Sequence, residues 1–445
     1  MTKIKRRAIA VIIIIALMVA GLGYFIFLYI TQGASWASFS ANSTVYTNGV
    51  ITVGTITDRN GVVLSTGADD HRAYSGSELI RRSTLHAVGD RWGNIGTGAL
   101  YIFKDKLTGY DPITGIYSLD GKGGDVVLSI SADVNSAALE AMNGRHGTVA
   151  VCDCETGELI CMMSSATFDP DNMPDNMDSE EYNGAYMNRF LSSSYTPGST
   201  FKLVTMAAAI ENIPDFLDKE YLCEGECEIG GDTVTCLGWH GWITPDEALA
   251  VSCNCVFAQI AEELGGDVLE KYAEQYGLTG SMSINDVKTE KGNFDKAPDG
   301  SNELAWSGIG QYNDLVNPAC MLRFVAAIAN DGKAPELTML RSKSAANTTR
   351  IMKQDTAEML GEFMNYNVYK TYGEERFPGI TMHAKSGTAE IGVTGKSTAW
   401  FVGYGEKNHK TLAFVVIIEG GGSGSINGGE VANTVLQAAF ENIGG

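Results

Sequence analysis

From Ala8 to Ile30 the chain carries no charged side chain. A run of that length crosses the hydrocarbon core of a bilayer as a helix, which needs about 20 apolar residues. Lys3, Lys5, Arg6 and Arg7 precede it and no acidic residue does. The excess of bases on that side predicts residues 1–7 as a short cytoplasmic tail, 8–30 as a single-pass transmembrane anchor, and everything beyond as extracytoplasmic. The rival is a cleaved signal peptide, with Ser35-Trp36-Ala37 as a poor small-residue cleavage site. Signal peptides carry an apolar core of only about 7–15 residues, so an uncleaved anchor is expected.

Outside the anchor, 28 Lys and Arg remain once the four N-terminal bases are set apart, against 53 Asp and Glu, a net charge of −25. Such a surface is not expected to bind nucleic acid or anionic lipid by bulk attraction. The chain has 445 residues, enough for two or more domains around a sizeable core.

Nine cysteines are unusual outside the cytoplasm. Cys152, Cys154 and Cys161 lie in apolar, strand-like runs and read as small core residues. Cys223, Cys227, Cys236 and His240 are spaced C-x3-C-x8-C-x3-H. Three readings stay open for them: a disulfide such as Cys223–Cys236, free thiols, or a zinc site. The odd total leaves at least one thiol unpaired within a single chain.

Along the chain, Thr31 to Ser43 is a small-polar connector. Two β-rich runs flank Asp58-Arg59-Asn60-Gly61, a strong hairpin signal. Up to Gly124 the texture is glycine-rich and short-stranded, so 31–124 reads as connector plus a small β-rich spacer. From Asp125 the pattern changes. Thr148–Cys154 and Glu158–Met163 predict a strand–turn–strand. Thr244-Pro245-Asp246-Glu247 is a capping box with proline at the first helical position, opening a helical stretch to Leu264 that is interrupted near Ser252. Thr381–Ile391, Thr398–Tyr404 and Thr411–Glu419 are strand-like, and Gly429 to Phe440 closes as a helix. Helices in the middle with strands at both ends predict an α/β domain of α+β type over 125–445, its sheet joining distant segments.

Three constellations in this part can carry chemistry. In Tyr195-Thr196-Pro197-Gly198-Ser199-Thr200-Phe201-Lys202 the chain turns at Pro197-Gly198 and enters an alanine-rich helix. Ser199 and Lys202, three apart, share a helix face, where a hydroxyl and an amine can act as nucleophile and base. The helix start offers unpaired N–H groups and positive dipole to a developing oxyanion. Ser252-Cys253-Asn254 on a broken helix would point a hydroxyl and an amide the same way. Lys385-Ser386-Gly387-Thr388 on a strand would build a pocket for a carboxylate. Each has a plainer reading alone: a cap and a solvated lysine, a polar turn, an ordinary strand.

Together, in this order, they resemble the motif set of penicillin-binding proteins and serine β-lactamases. The flanks resemble the transpeptidase domain of that family: Asn188-Arg189, His240-Gly241, Ser307-Gly308-Ile309-Gly310-Gln311, Lys385 through Glu390, and Ala399-Trp400-Phe401-Val402-Gly403. The likeness covers Asp125 to the C-terminus, and Gly54 to Leu64 resembles the start of the family's spacer. Fewer than about a hundred residues separate anchor and transpeptidase, too few for a glycosyltransferase domain. The chain therefore looks like a monofunctional, class B penicillin-binding protein, with a central antiparallel sheet and a helical subdomain.

The resemblance implies a D,D-transpeptidase acting on peptidoglycan stem peptides ending in D-Ala-D-Ala. Ser199 would be the nucleophile, Lys202 the base, Ser252 the proton relay, Asn254 the orienting amide and Lys385 its positive neighbour. The N–H groups of Ser199 and Thr388 would form the oxyanion hole, and Ser386, Gly387 and Thr388 would line the carboxylate site. An amine from a neighbouring stem peptide would resolve the acyl-enzyme, and β-lactams would trap it. No cofactor and no metal is needed for this reaction. Implied partners are the membrane and a multi-spanning glycan polymerase. The competing readings are a D,D-carboxypeptidase, a β-lactamase, and a non-catalytic β-lactam or muropeptide sensor.

Overall fold

The structure is a computed structural model. It describes residues 2–37, 46–47, 50–68, 70–111, 114–115, 117, 122–342, 344–391 and 396–443. Of the connector expected at Thr31–Ser43, Thr31–Ala37 continues the N-terminal helix and 38–43 lie outside the described residues.

The uncharged run lies within one helix, Thr2–Ala37, whose Thr2–Gly33 portion is long and apolar enough to cross a membrane. Beyond it, Thr55–Thr57 and Val63–Gly67 pair antiparallel around the Asn60-Gly61 turn. Arg72–Tyr74 adds to one side, and Asp125–Val127 adds parallel to Thr55–Thr57 on the other. The change of texture at Asp125 thus falls on a strand that completes the spacer sheet. Four short helices, Glu78–Ser83, Leu85–Val88, Ala99–Ile102 and Lys104–Thr108, also occupy this part. None exceeds two turns, so no amphipathic period announces them.

The hairpin turn is tied into the next unit. Asp58 carboxylate oxygens accept from Asn60 and Val62 N–H and, across the boundary, from Ala132 N–H at 2.9 Å. Arg81 holds Asp169 through two parallel bonds of 2.7 and 2.6 Å. Glu158 receives both Arg59 and Arg341. Such charge-assisted, bidentate contacts fix orientation as well as adding energy, so the spacer and the larger unit form a braced pair.

The larger unit is built on five antiparallel strands, in spatial order Thr381–Ile391, Lys396–Lys407, Lys410–Glu419, Gly147–Asp153 and Leu159–Ser165. The sheet joins residues more than two hundred positions apart, as the sequence pattern predicted. Asn408 and His409 both have positive φ, 53° and 59°, the two-residue turn whose twist matches its strands. Both faces of the sheet are covered. Trp400, Val402, Val415, Ile417, Ala150 and Cys152 pack toward the serine-helix side. Phe401, Phe414, Val416, Val149 and Val151 pack beneath helices Ala132–Met142 and Gly429–Ile443. Covering both faces removes the polar alternation of a half-exposed strand, and every residue of Gly147–Asp153 and Leu159–Ser165 is buried.

The helical side holds Lys202–Asn212, Pro245–Ala250, Asn254–Leu264, Asn302–Ile309, Pro318–Ile328 and Gln354–Asn367. The capping box at Thr244 is formed. The helix it opens breaks after Ala250 and restarts at Asn254, with Ser252 at φ 54° between them.

Candidate active site

The segment 195–202 is anchored from three sides before any chemistry is considered. Tyr195 exchanges both backbone bonds with Val316, at 3.0 and 2.8 Å. Its hydroxyl donates to Glu419, which also receives Arg189 at 2.9 Å, so Arg189 and Tyr195 share one carboxylate. Trp400 donates its indole N–H to the Thr196 carbonyl at 3.0 Å, and Gly198 N–H reaches the Gly310 carbonyl at 2.8 Å. Arg189, Gly310 and Trp400, one from each of three flanking motifs, therefore form the mould around the turn.

Ser199 stands on a single 3-10 turn, Gly198–Thr200, which leads into the α-helix at Lys202. The sequence placed it on the helix proper; the tighter turn follows from Thr200 bonding the Pro197 carbonyl at 2.8 Å. Glycine is required here. Gly198 has φ 53°, and a Cβ on it would lie 3.1 Å from the Thr388 carbonyl oxygen. A Cβ on Gly387 would come within 2.8 Å of the Pro197 oxygen. The strand Thr381–Ile391 thus lies directly on the serine turn, backbone to backbone. This close approach sets Ser199 and Thr388 next to each other across the contact between turn and strand.

Ser199 is half-buried, whereas Lys202 and Lys385 are fully buried. Lys202 Nζ donates to the Ser252 carbonyl at 2.7 Å, to Asn254 Oδ1 at 2.8 Å and to Ser252 Oγ at 3.3 Å. Lys385 Nζ donates to the same Ser252 Oγ at 3.0 Å and to the Ser386 carbonyl at 2.9 Å. One hydroxyl therefore bridges two amines drawn from a helix and a strand. Ser252 reaches this position because its left-handed backbone turns the chain sharply, held by Cys253 N–H on the Ala248 carbonyl at 2.8 Å. For a non-glycine residue such a backbone costs of order 1 kcal/mol.

Burial drives both ammonium groups toward neutrality. The Lys202 ammonium is pushed down to about 8. That of Lys385 is pushed well below its ordinary range by burial and then by the charge of Lys202. Lys202 has three oxygen acceptors and the Phe257 ring 5.3 Å from its nitrogen, which favour keeping its proton. With both groups around one hydroxyl, the titration belongs to the pair.

The Ser386 hydroxyl meets a residue that the sequence did not single out. Tyr372 is buried at the end of the helical run after Asn367, and its oxygen accepts from Ser386 N–H at 2.9 Å. The same oxygen lies 3.0 Å from Ser386 Oγ. Tyr372 thus meets both the backbone N–H and the hydroxyl of Ser386 and fixes where that serine stands. No periodicity marks Tyr372, since only the packing of a helix end on a strand gives it this role. Tyr372→Phe removes both contacts to Ser386 and is expected to slow acylation by carboxylate-bearing β-lactams about 5–10-fold, a net loss of about 1–1.4 kcal/mol. Stopped-flow acylation rates check this, with an unchanged far-ultraviolet spectrum as control. Thr388 Oγ1 donates to the Gly422 carbonyl at 3.4 Å, and Gln311 reaches the Thr388 carbonyl at 3.5 Å.

None of the nine cysteines is joined to another, so a Cys223–Cys236 disulfide is not formed. Cys152, Cys154 and Cys161 are buried in the core, as expected. Of the C-x3-C-x8-C-x3-H set, Cys223, Cys236 and His240 do cluster, but Cys227 does not join them. Its thiol faces the Cys255 carbonyl at 3.8 Å, because it stands on a separate hairpin, Glu226–Ile229 with Asp232–Thr235. Cys253 takes its place.

Comparison with known proteins follows the same lines. Residues 147–441 match the family model described as the penicillin binding protein transpeptidase domain. The peptidoglycan D,D-transpeptidase PbpA of Mycolicibacterium smegmatis is 26% identical over 373 residues, covering 76% of this chain and 74% of that protein. The peptidoglycan D,D-transpeptidase MrdA of Escherichia coli is 22% identical over 370 residues, covering 72% and 58%. Among solved structures, the ceftriaxone acyl-enzyme of penicillin-binding protein A from M. tuberculosis superposes with a TM-score of 0.75 at 22% identity, over 87% of this chain and 98% of that one. The D,D-transpeptidase domain of a peptidoglycan glycosyltransferase from Eggerthella lenta gives 0.74 at 27% identity, over 88% and 99%.

Proposed function

Because the chain belongs to the penicillin-binding protein transpeptidase family, as a class B member, we propose that it is a membrane-anchored peptidoglycan D,D-transpeptidase working through a Ser199 acyl-enzyme. The observation that carries this reading is the Ser252 hydroxyl held 3.3 Å from Lys202 and 3.0 Å from Lys385, beside the serine turn. In this reading Ser199 Oγ attacks the penultimate carbonyl of a D-Ala-D-Ala stem peptide. Its proton passes to Lys202, and the oxyanion is received by the N–H groups of Ser199 and Thr388. The bond to the terminal D-alanine breaks as Ser252 delivers a proton to the leaving nitrogen. An amine of a second stem peptide then attacks the ester and releases Ser199.

The charge of the substrate has a further part in this reading. The terminal carboxylate docks against Ser386, Thr388 and the end of Lys385. A negative charge there favours the ammonium form of Lys385. The restored charge on Lys385 then repels the proton on Lys202 and makes it the free base. Substrate binding thereby sets the protonation that chemistry requires. A penicillin whose carboxylate is masked as its methyl ester is expected to acylate about 30–100-fold more slowly, a loss of about 2–3 kcal/mol for a charge-assisted contact.

The deciding experiment is intact-protein mass of the full chain in detergent, mixed with benzylpenicillin and followed over time. A persistent one-to-one adduct, with release of D-alanine from stem peptides only when an acceptor amine is present, supports the transpeptidase. Release of D-alanine without acceptor would make it a carboxypeptidase, and steady consumption of drug a β-lactamase. An adduct with no peptide turnover would make it a sensor.

The N-terminal bases support a cytoplasmic N-terminus with the site outside the membrane. The spacer, fused by Asp58, Arg59 and Arg81 to the catalytic unit, would set the height of the site above the bilayer. A multi-spanning glycan polymerase is the partner proposed for that anchor and spacer.

A further inference from the structure

Four side chains from three separate segments converge behind the Ser252–Asn254 turn. Cys223 ends the strand Tyr221–Cys223, Cys236 and His240 belong to the loop after Asp232–Thr235, and Cys253 is the residue between Ser252 and Asn254. Their ligand atoms all lie within 4.8 Å of one another. Cys236 and Cys253 sulfurs are 3.8 Å apart, and His240 Nδ1 is 3.4 Å from Cys223 and 3.7 Å from Cys236. A tetrahedral zinc has Zn–S of about 2.3 Å and Zn–N of about 2.0–2.1 Å, which makes its S···S edge about 3.8 Å and its S···N edge about 3.6 Å. These three separations match those edges to within about 0.2 Å, and the remaining pairs lie within 4.8 Å.

The surroundings also suit a metal. Cys236 Sγ accepts Asn254 N–H at 3.3 Å, an outer hydrogen bond that stabilises a thiolate ligand. The loop bearing two of the ligands has little core beneath it: Leu237 and Trp239 are 94% and 76% exposed. A loop that buries so little apolar surface must be held by something else, and a metal clip supplies that in small irregular segments.

We propose that Cys223, Cys236, His240 and Cys253 form a structural zinc site that clamps the Ser252–Asn254 turn. The metal is closed off by four protein ligands and keeps no open position, so it takes no part in acyl transfer. Its task is mechanical. By fixing Cys253 it holds the left-handed Ser252 and aims Ser252 Oγ and Asn254 Oδ1 at the two lysines. The binding claim stands apart from the catalytic reading; only its consequence for acylation rests on that reading.

The test uses the full chain in detergent, purified without chelator from zinc-supplemented medium. Elemental analysis is expected to find one zinc per chain. Replacement by Co(II) is expected to give the strong visible absorption and thiolate charge-transfer bands of tetrahedral cobalt. Cys223→Ser and His240→Ala, both outside the catalytic motifs, should weaken those bands and lower zinc content. Chelation of the wild type should lower its melting temperature and slow benzylpenicillin acylation at least tenfold, with recovery on adding zinc. The chelation arm needs no variant, so a variant that fails to fold does not spoil the test. Wild-type protein with less than about a tenth of a zinc per chain and no cobalt–thiolate bands would overturn the site, as would a mapped Cys236–Cys253 disulfide. Metal present, with acylation unchanged on its removal, would overturn the clamp while leaving the proposed transpeptidase function untouched.

Discussion

Ser199→Ala is expected to abolish the benzylpenicillin adduct completely while leaving the melting temperature close to that of the wild type. The covalent bond has only one oxygen to form on, and no neighbouring hydroxyl can replace it. Ser252 is held on both lysines and Thr200 on the Pro197 carbonyl. The stability forecast rests on where the serine stands. It is half-buried on a 3-10 turn whose shape is set by Gly198, by Thr200 and by the pairing of Tyr195 with Val316. Removing one partly solvated hydroxyl from such a frame costs at most about 1 kcal/mol. Mass spectrometry reads the adduct and differential scanning fluorimetry reads the fold. An adduct of normal stoichiometry on the folded variant would remove Ser199 from the mechanism.

The second large effect is expected at Lys202. Lys202→Arg keeps a buried positive charge but cannot give it up, since guanidinium stays protonated. If Lys202 acts as a base, the arginine variant loses about 10²–10⁴-fold in acylation rate, the usual span for a general base. A role as a fixed charge alone would leave the rate nearly intact. The pH profile supplies the independent check. Burial holds the Lys202 ammonium near 8 instead of its ordinary 10.5, so at pH 7 about a tenth is neutral rather than about one part in three thousand. With Lys202 as the base, the neutral form is the active one. Acylation should therefore rise about tenfold per pH unit below 8 and level off above it, and the arginine variant should be flat over the same range. A wild-type rate that falls as pH rises from 6 to 8 would contradict the base assignment. The limb reports the coupled pair, because Lys385 shares the Ser252 hydroxyl.

Much of the catalytic unit was legible because the relevant signals are local. Pro197-Gly198 before an alanine-rich run marks a turn into a helix, whatever surrounds it. The capping box at Thr244 and the interruption near Ser252 likewise gave a broken helix with a polar turn. The strand Thr381–Ile391 and its partner strands announced themselves by apolar content and by the turn between two of them. Less legible were the short helices between Glu78 and Thr108, which are too brief to display a period. Helices Gly266–Gln275 and Asn302–Ile309 also passed without notice, the first being mostly polar and the second short with Gly308 inside it.

What the sequence by itself determined is the inventory: an uncharged span with bases before it, a serine and a lysine one turn apart, and two more polar motifs in order. These depend on neighbours within a few positions, where backbone propensity and side-chain type act directly. What only the tertiary structure decided is which distant groups share an atom. Ser252 stands between Lys202 and Lys385, Tyr372 stands behind Ser386, and Cys253 displaces Cys227 beside Cys223, Cys236 and His240. No spacing rule connects such residues. They meet because the five-stranded sheet carries Lys385 onto the serine turn, backbone against backbone at Gly198 and Gly387, and because burial there makes every unpaired polar group costly. The chemistry of each side chain was present in the chain from the start; its partner was chosen by packing.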